Sequence, residues 1–143
     1  GHPAPGPGPR PDIGRQLHDR TVEVLELSDS VMLLSSLHLP TVRNTVCFAG
    51  ILTRLKIDRE KIHIVLNRFQ KKSRLSLEDV EAMVDRKVFW SIPNDYEPMS
   101  MGIDRGVPAV QHAPRSKVAK SYLDLADRVH SETVHSDRVE TVA

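Results

Sequence analysis

Cysteine is almost absent from this 143-residue chain, and the single thiol of Cys47 rules out an internal disulfide framework. Long apolar runs are missing too. The longest stretch free of Asp, Glu, Lys and Arg is Ser30 to Val42, shorter than the roughly 18–20 residues that a bilayer span requires. The N-terminus has no apolar h-region, which points to a cytoplasmic chain without a secretory signal. Charge of one sign is lacking as well: 20 Lys and Arg face 19 Asp and Glu, for a net charge of +1. A nucleic-acid face built on bulk electrostatics needs a basic stripe, so none is expected. His130 and His135 are five apart, which does not place both imidazoles on one helix face, and no metal ligand is assigned.

What is present describes one ordinary domain, with 39% hydrophobic and 4% aromatic residues. A chain of this size can bury roughly 68–70% of its unfolded surface without a structural metal. Residues 1–11, GHPAPGPGPRP, hold five prolines and three glycines and read as a disordered linker or tag remnant. Residues 12–130 read as the folded part, and residues 131–143 as a loose polar tail.

Within residues 12–130 short apolar runs alternate with helical periodicity. TVEVLELS (Thr21 to Ser28) predicts a helix; SVMLLS (Ser30 to Ser35) predicts a strand covered on both faces. Pro40 opens a second helix towards Leu55, with Val42, Val46, Ala49, Gly50 and Thr53 at helical spacing. IHIVL (Ile62 to Leu66) is the second strand, closed by Asn67. A basic loop, Arg68 to Arg74, leads to the N-cap Ser76 and a helix over Leu77 to Val84. VFWSI (Val88 to Ile92) is the third strand, stopped by Pro93. A short helix from Met99 to Arg105 ends at Gly106, and a last helix spans about Ser116 to His130. This order is that of an α/β fold, a partial doubly wound parallel sheet of about three strands flanked by helices.

In open α/β sheets ligands sit beyond the carboxyl ends of the strands. Asn67 ends one strand there, and Pro93, Asn94 and Asp95 end another. The Asn67 amide offers an acceptor and two donors suited to a base edge, and a turn fixed by Pro93 can wall the same base. The same residues also serve as plain turn formers, Asn67 as a cap and Asn94-Asp95 as an Asx-turn.

Residues 12 to 130 resemble the second half of the MinD/ParA-like ATPases, P-loop NTPases with a deviant phosphate-binding loop. The resemblance is carried by DIGRQLHDRTVEVLELSDSVMLL, LPTVRN, IVLNRF, LSLEDVE, IPNDY and the Asp104 to Pro108 turn. LPTVRN and IPNDY favour the CpaE/TadZ-like pilus-assembly branch. The resemblance implies a bacterial protein that binds ATP with magnesium, dimerises around it and hydrolyses it slowly. By this likeness Asp12 is the switch carboxylate, Asn67 the adenine-reading residue with Arg68 beside it, and Pro93, Asn94 and Asp95 the loop along base and ribose. The family usually keeps a proline two residues after the switch Asp, where this chain has Asp-Ile-Gly-Arg.

The implied function is a C-terminal portion of a localisation factor for type IVb (Flp/Tad) pili. Its implied partners are a second copy and the pilus secretion machinery, which would recruit it to the inner membrane or cell pole. The alternatives are a scaffold without nucleotide binding and a partition-type, DNA-associated protein.

None of the seven glycines stands in a Gly-x-x-x-x-Gly-Lys context. Phosphoryl transfer depends on such a cradle, so this chain alone is expected neither to hold ATP and Mg tightly nor to hydrolyse ATP. The Arg68 to Arg74 cluster is expected to be a solvated loop, and Cys47 a buried structural thiol. Met99 and Met101 are expected to fill the core. The tail has Glu132, Asp137 and Glu140 among few apolar residues, which argues against direct membrane binding.

Overall fold

The computed structural model describes residues 1–4, 6 and 19–142, with side chains described as far as Val134. The elements in chain order are α1 (Asp19–Leu27), β1 (Val31–Ser35), α2 (Leu39–Arg54), a 3-10 turn (Arg59–Lys61), β2 (Ile62–Phe69), α3 (Leu77–Val84), β3 (Val88–Pro93), α4 (Tyr96–Arg105), α5 (Ala109–His112) and α6 (Lys117–Val142). The three strands form one parallel sheet in the order β1-β2-β3, flanked by helices, as the sequence predicts. Val31 pairs with Ile62 and the register runs unbroken to Ser35 opposite Leu66.

Strand alternation divides the core. Ile64 and Leu66 of β2 face one way and pack with Val42 of α2 and Val80 and Val84 of α3. Val65 faces the other way and packs with Phe89 and Ile92 of β3 and Val118 and Leu125 of α6. Both faces of β2 are therefore covered, which is why it reads as a continuous apolar run. Each aliphatic side chain buried in this way contributes about 1.5–3 kcal/mol relative to exposure. A smaller cluster of Val31, Leu52, Ile57 and Ile62 closes the amino end of β1, with Leu25 of α1 against it. On β1 the face away from α2 is exposed among the described residues, with Met32 41% and Leu34 57% exposed, which corrects the expectation of a strand covered on both faces.

Helix α3 is framed by a capping box: Ser76 Oγ accepts from the Asp79 amide at 3.1 Å, and the Asp79 carboxylate accepts from the Ser76 amide at 2.9 Å. Hydrogen bonding to the carboxylate from the Ser76 amide, and secondarily from the Ser76 side chain, holds the Asp79 carboxyl below its ordinary pKa. The helix stops at Asp85, which adopts the left-handed conformation at φ 54°.

Several boundaries differ from the sequence reading. Strand β2 does not close at Asn67 but continues through Arg68 to Phe69. Helix α4 starts at Tyr96 rather than Met99, and α5 is an additional short helix. Helix α6 does not stop at His130 and continues to Val142. No Gly or Pro interrupts residues 117 to 142, and Ser131 and Thr133 direct their hydroxyls to the carbonyls one turn back, at 2.9 and 3.0 Å. The inner stripe of α2 is Val42, Thr45 and Leu52, so Val46 points outward. Cys47, one position on, is exposed, which corrects the expectation of a buried thiol.

Candidate functional site

The ladder between β2 and β3 slips twice. Near its carboxyl end β2 advances from Leu66 to Phe69 while β3 advances from Ser91 to Pro93, so β2 carries one extra residue there. The bulge is built from Asn67 and Arg68. Arg68 takes a positive φ of 53°, and the Asn67 side-chain oxygen accepts from the Arg68 amide at 3.0 Å. Asn tolerates such local turns because its short amide bonds to the neighbouring main chain. Across the gap, the Asn94 amide donates to the Phe69 carbonyl at 3.1 Å and locks the end of β3 against the bulge.

These contacts bring Asn67, Arg68, Pro93, Asn94 and Asp95 together around one cavity of about 510 Å³. The remaining wall comes from Tyr96, Met99, Ser100 and Ile103 of α4 and Val118 of α6. Those wall residues were not marked as site residues in the sequence. Their signal was the helix that follows Pro93 almost at once, whose α-periodic Met99 and Ile103 necessarily share a face. Met99 also packs against the α6-side core, as expected of it, whereas Met101 is exposed, contrary to the expectation for it.

The polar groups are unequally free. Among the described residues the Asn67 amide engages only its oxygen, in its own turn, which leaves both N–H donors for a ligand. The Asp95 carboxylate faces the start of α6 and accepts from the Val118 amide at 3.4 Å, beside the Ser116 hydroxyl that accepts from Ala119 at 3.2 Å. It thus serves the helix end electrostatically as well as the cavity rim. Asn94 is exposed at the mouth. Asp12 lies outside the described residues.

The cavity suits a flat, amphipathic ligand such as a nucleoside: apolar walls from Pro93, Met99, Ile103 and Val118, and amide donors at one side. For the phosphates and magnesium the described residues supply less. No group of three or more His, Cys, Asp or Glu side chains converges among them. Lys71, Lys72 and Arg74 are exposed and make no ion pair among the described residues, as befits a solvated loop. No described helix is long and apolar enough to cross a membrane.

Comparison with known proteins places the fold. A septum site-determining protein MinD of Thermotoga maritima is 24% identical over 112 residues, covering 75% of this chain and 41% of that protein. The crystal structure of a ParA family ATPase from Chlorobium tepidum superposes with a TM-score of 0.66 at 26% identity, over 77% of this chain and 46% of the other. The chain carries the fold of the MinD/ParA ATPases and is related to them in sequence. The MinD cell division ATPase of Pyrococcus furiosus has the same fold, with a TM-score of 0.64 at 23% identity, over 78% of this chain and 44% of its own. The chain therefore spans a little under half the length of these MinD/ParA relatives. No protein-family model matches it.

Proposed function

We propose that this chain forms the base-side half of a MinD/ParA-like nucleotide switch. The observation that carries the reading is the cavity of about 510 Å³ at the carboxyl ends of β2 and β3, where Asn67 and the Pro93 to Asp95 loop converge. In this reading the Asn67 N–H donors read the adenine edge. Pro93 and the α4 side chains flank the ring, and Asn94 and Asp95 line the ribose side. ATP with magnesium is the ligand of a longer polypeptide that also supplies a Gly-rich phosphate loop; the present residues position the nucleoside and do not transfer phosphate. Asp12, by its likeness to the switch carboxylate, belongs to that phosphate side. Nucleotide-dependent pairing with a second copy follows from the same reading, and a MinD of Aquifex aeolicus with this fold has been solved in complex with MinC.

LPTVRN and IPNDY support placing the switch in assembly and localisation of type IVb (Flp/Tad) pili. Asn67→Ala in a polypeptide containing the phosphate loop is expected to weaken Mg-ATP binding about tenfold with an unchanged circular dichroism spectrum, as calorimetry would read. Unchanged affinity would remove Asn67 from the site. Loss of surface pili on deletion of the gene tests the cellular role separately, and a fully piliated deletion strain would exclude it.

A further inference from the structure

At the opposite end of the sheet the amino ends of β2 and β3 open onto a second recess, of about 650 Å³. Four cationic side chains line it, Arg59, Arg86, Lys87 and Arg128, against the carboxylates of Asp58 and Glu60. The arginines arrive from three separate elements: the 3-10 turn, the turn between α3 and β3, and α6. Each is tethered by a main-chain carbonyl. Arg59 donates to Asp85, Arg128 donates to Phe89, and Arg86 Nη1 donates to both Arg59 at 3.2 Å and Ile62 at 2.8 Å. Arg128 also lies 4.1 Å over the Phe89 ring.

Most of the neighbouring carboxylates are already engaged, the Glu60 carboxylate making no ion pair among the described residues. Asp58 accepts from the Glu60 amide at 3.0 Å, Glu81 accepts from the Val88 amide at 2.8 Å and lies 3.8 Å from Lys87, and Asp85 lies 4.0 Å from Arg59. Glu132 is shared between Arg128 at 3.9 Å and His63 at 3.8 Å. Among the described residues no carboxylate lies within 4.0 Å of the Arg86 guanidinium. Burial, and secondarily the charge of Arg59, hold Arg86 below its ordinary pKa, with Asp85 opposing. A half-buried cation beside a like charge gains more from an incoming anion than a solvated one does. Its tethers have already removed much of the side-chain freedom that binding would otherwise cost.

We propose that this recess binds a phosphate-bearing anion, with Arg86 at its centre and Arg59, Lys87 and Arg128 around it. Guanidinium forks converging from several sides match an oxyanion with several acceptors and more than one charge. The site is separate from the Asn67 cavity and does not depend on how that cavity is used. Its ligand is either a soluble phosphate compound or a lipid headgroup.

The test is calorimetry with inorganic pyrophosphate at low ionic strength, in parallel with the fluorescence of Trp90, the single tryptophan, whose ring centroid lies 5.9 Å from the Arg128 guanidinium carbon. Saturable binding with one equivalent is expected. Arg86→Gln should lower affinity about tenfold or more. Lys87→Glu should also lower it, and the Lys87 side chain is 92% exposed, so this variant keeps the test valid if Arg86→Gln fails to fold. Lys71→Gln with Lys72→Gln removes charge elsewhere and should leave affinity unchanged. Co-sedimentation with phosphatidylglycerol vesicles separates the sources: binding competed by pyrophosphate identifies a headgroup, and pyrophosphate binding without vesicle binding identifies a soluble anion. Absence of saturable binding to the wild-type chain would overturn the proposal, as would wild-type affinity in Lys87→Glu or equal losses in the Lys71/Lys72 variant.

Discussion

At the carboxyl end of the β2–β3 pair the extra residue belongs to β2, whereas at the amino end β3 advances from Val88 to Trp90 while β2 moves only from Ile64 to Val65. The first slip presents Asn67 and Arg68 to a cavity with apolar walls. The second accompanies Phe89, whose carbonyl and ring are both taken by Arg128, under a recess rich in guanidinium groups. One sheet thus carries two recesses of different chemistry, each beginning where the parallel ladder fails to close. Bulges free a main-chain segment from the ladder, and what collects there depends on the reach of nearby side chains. Short amides collect at one end and long tethered cations at the other.

The comparison breaks most completely if the ladder itself is weakened. Ile64 is fully buried between α2 and α3 and sits at the edge of the amino-end slip. Ile64→Ala is expected to cost about 2–5 kcal/mol in urea unfolding and to impair both recesses together. A loss below about 1 kcal/mol would show that the two ends do not share this support.

A smaller effect separates the two ends. A Cβ added at Gly102 would stand 2.7 Å from the Val107 carbonyl oxygen and 3.1 Å from His112 Nε2. Gly102→Ala should therefore displace α4 against the start of α5, costing about 1–3 kcal/mol. The carboxyl-end cavity loses its shape because Met99 and Ile103 belong to the same helix, while pyrophosphate affinity at the amino end stays as in the wild type. Equal loss of both would mean that the ends are coupled.

The smallest effect is a pH dependence confined to the amino end. Burial holds the His63 pKa below its ordinary value, outweighing the opposing Glu132, and Arg128 and Arg86 lower it further. A depressed folded-state pKa gives stability that is present above the unfolded value, about 6.5, and lost as pH falls through the folded one. Wild-type urea midpoints should thus begin to fall below about pH 6.5, and His63→Gln should flatten that part of the curve. The Asp79 contribution has the same sign but is lost only in the acid range of a carboxylate, so the two windows are distinct. An unchanged curve in His63→Gln would show that this imidazole titrates as it does in the unfolded chain.

The strands were legible as short apolar runs, SVMLL, IHIVL and VFWSI, although of the first two only IHIVL is covered on both faces, Met32 and Leu34 of the first being exposed. The α3 boundaries were legible from the Ser76 and Asp79 capping signal. Bulges leave no such mark: Arg68 at positive φ and the slip at Phe89 are decided by tertiary fit. The exposure of Cys47 was hidden because α2 carries apolar residues on more than one side, so the inner stripe could be drawn through Val46 as readily as through Thr45. Of the site, the strand-end residues Asn67, Arg68 and Pro93 to Asp95 could be read from position and resemblance. Its α4 wall was signalled only by the helix that follows Pro93 almost at once, and Val118 of α6 by nothing, since its place depends on how that helix returns to the sheet. The amino-end recess joins residues 59, 86 and 128, a proximity that only the folded sheet creates.

The open face of β1 governs how the isolated chain behaves as it becomes concentrated. Met32 and Leu34 project from a strand whose outer amides and carbonyls have no partner within the described sheet, and such an edge is a template for strand addition. Dilute chains meet too rarely for this to matter, but pairwise encounters rise with the square of concentration. A dilute preparation of the isolated chain is therefore expected to outlast a concentrated one of equal folding stability.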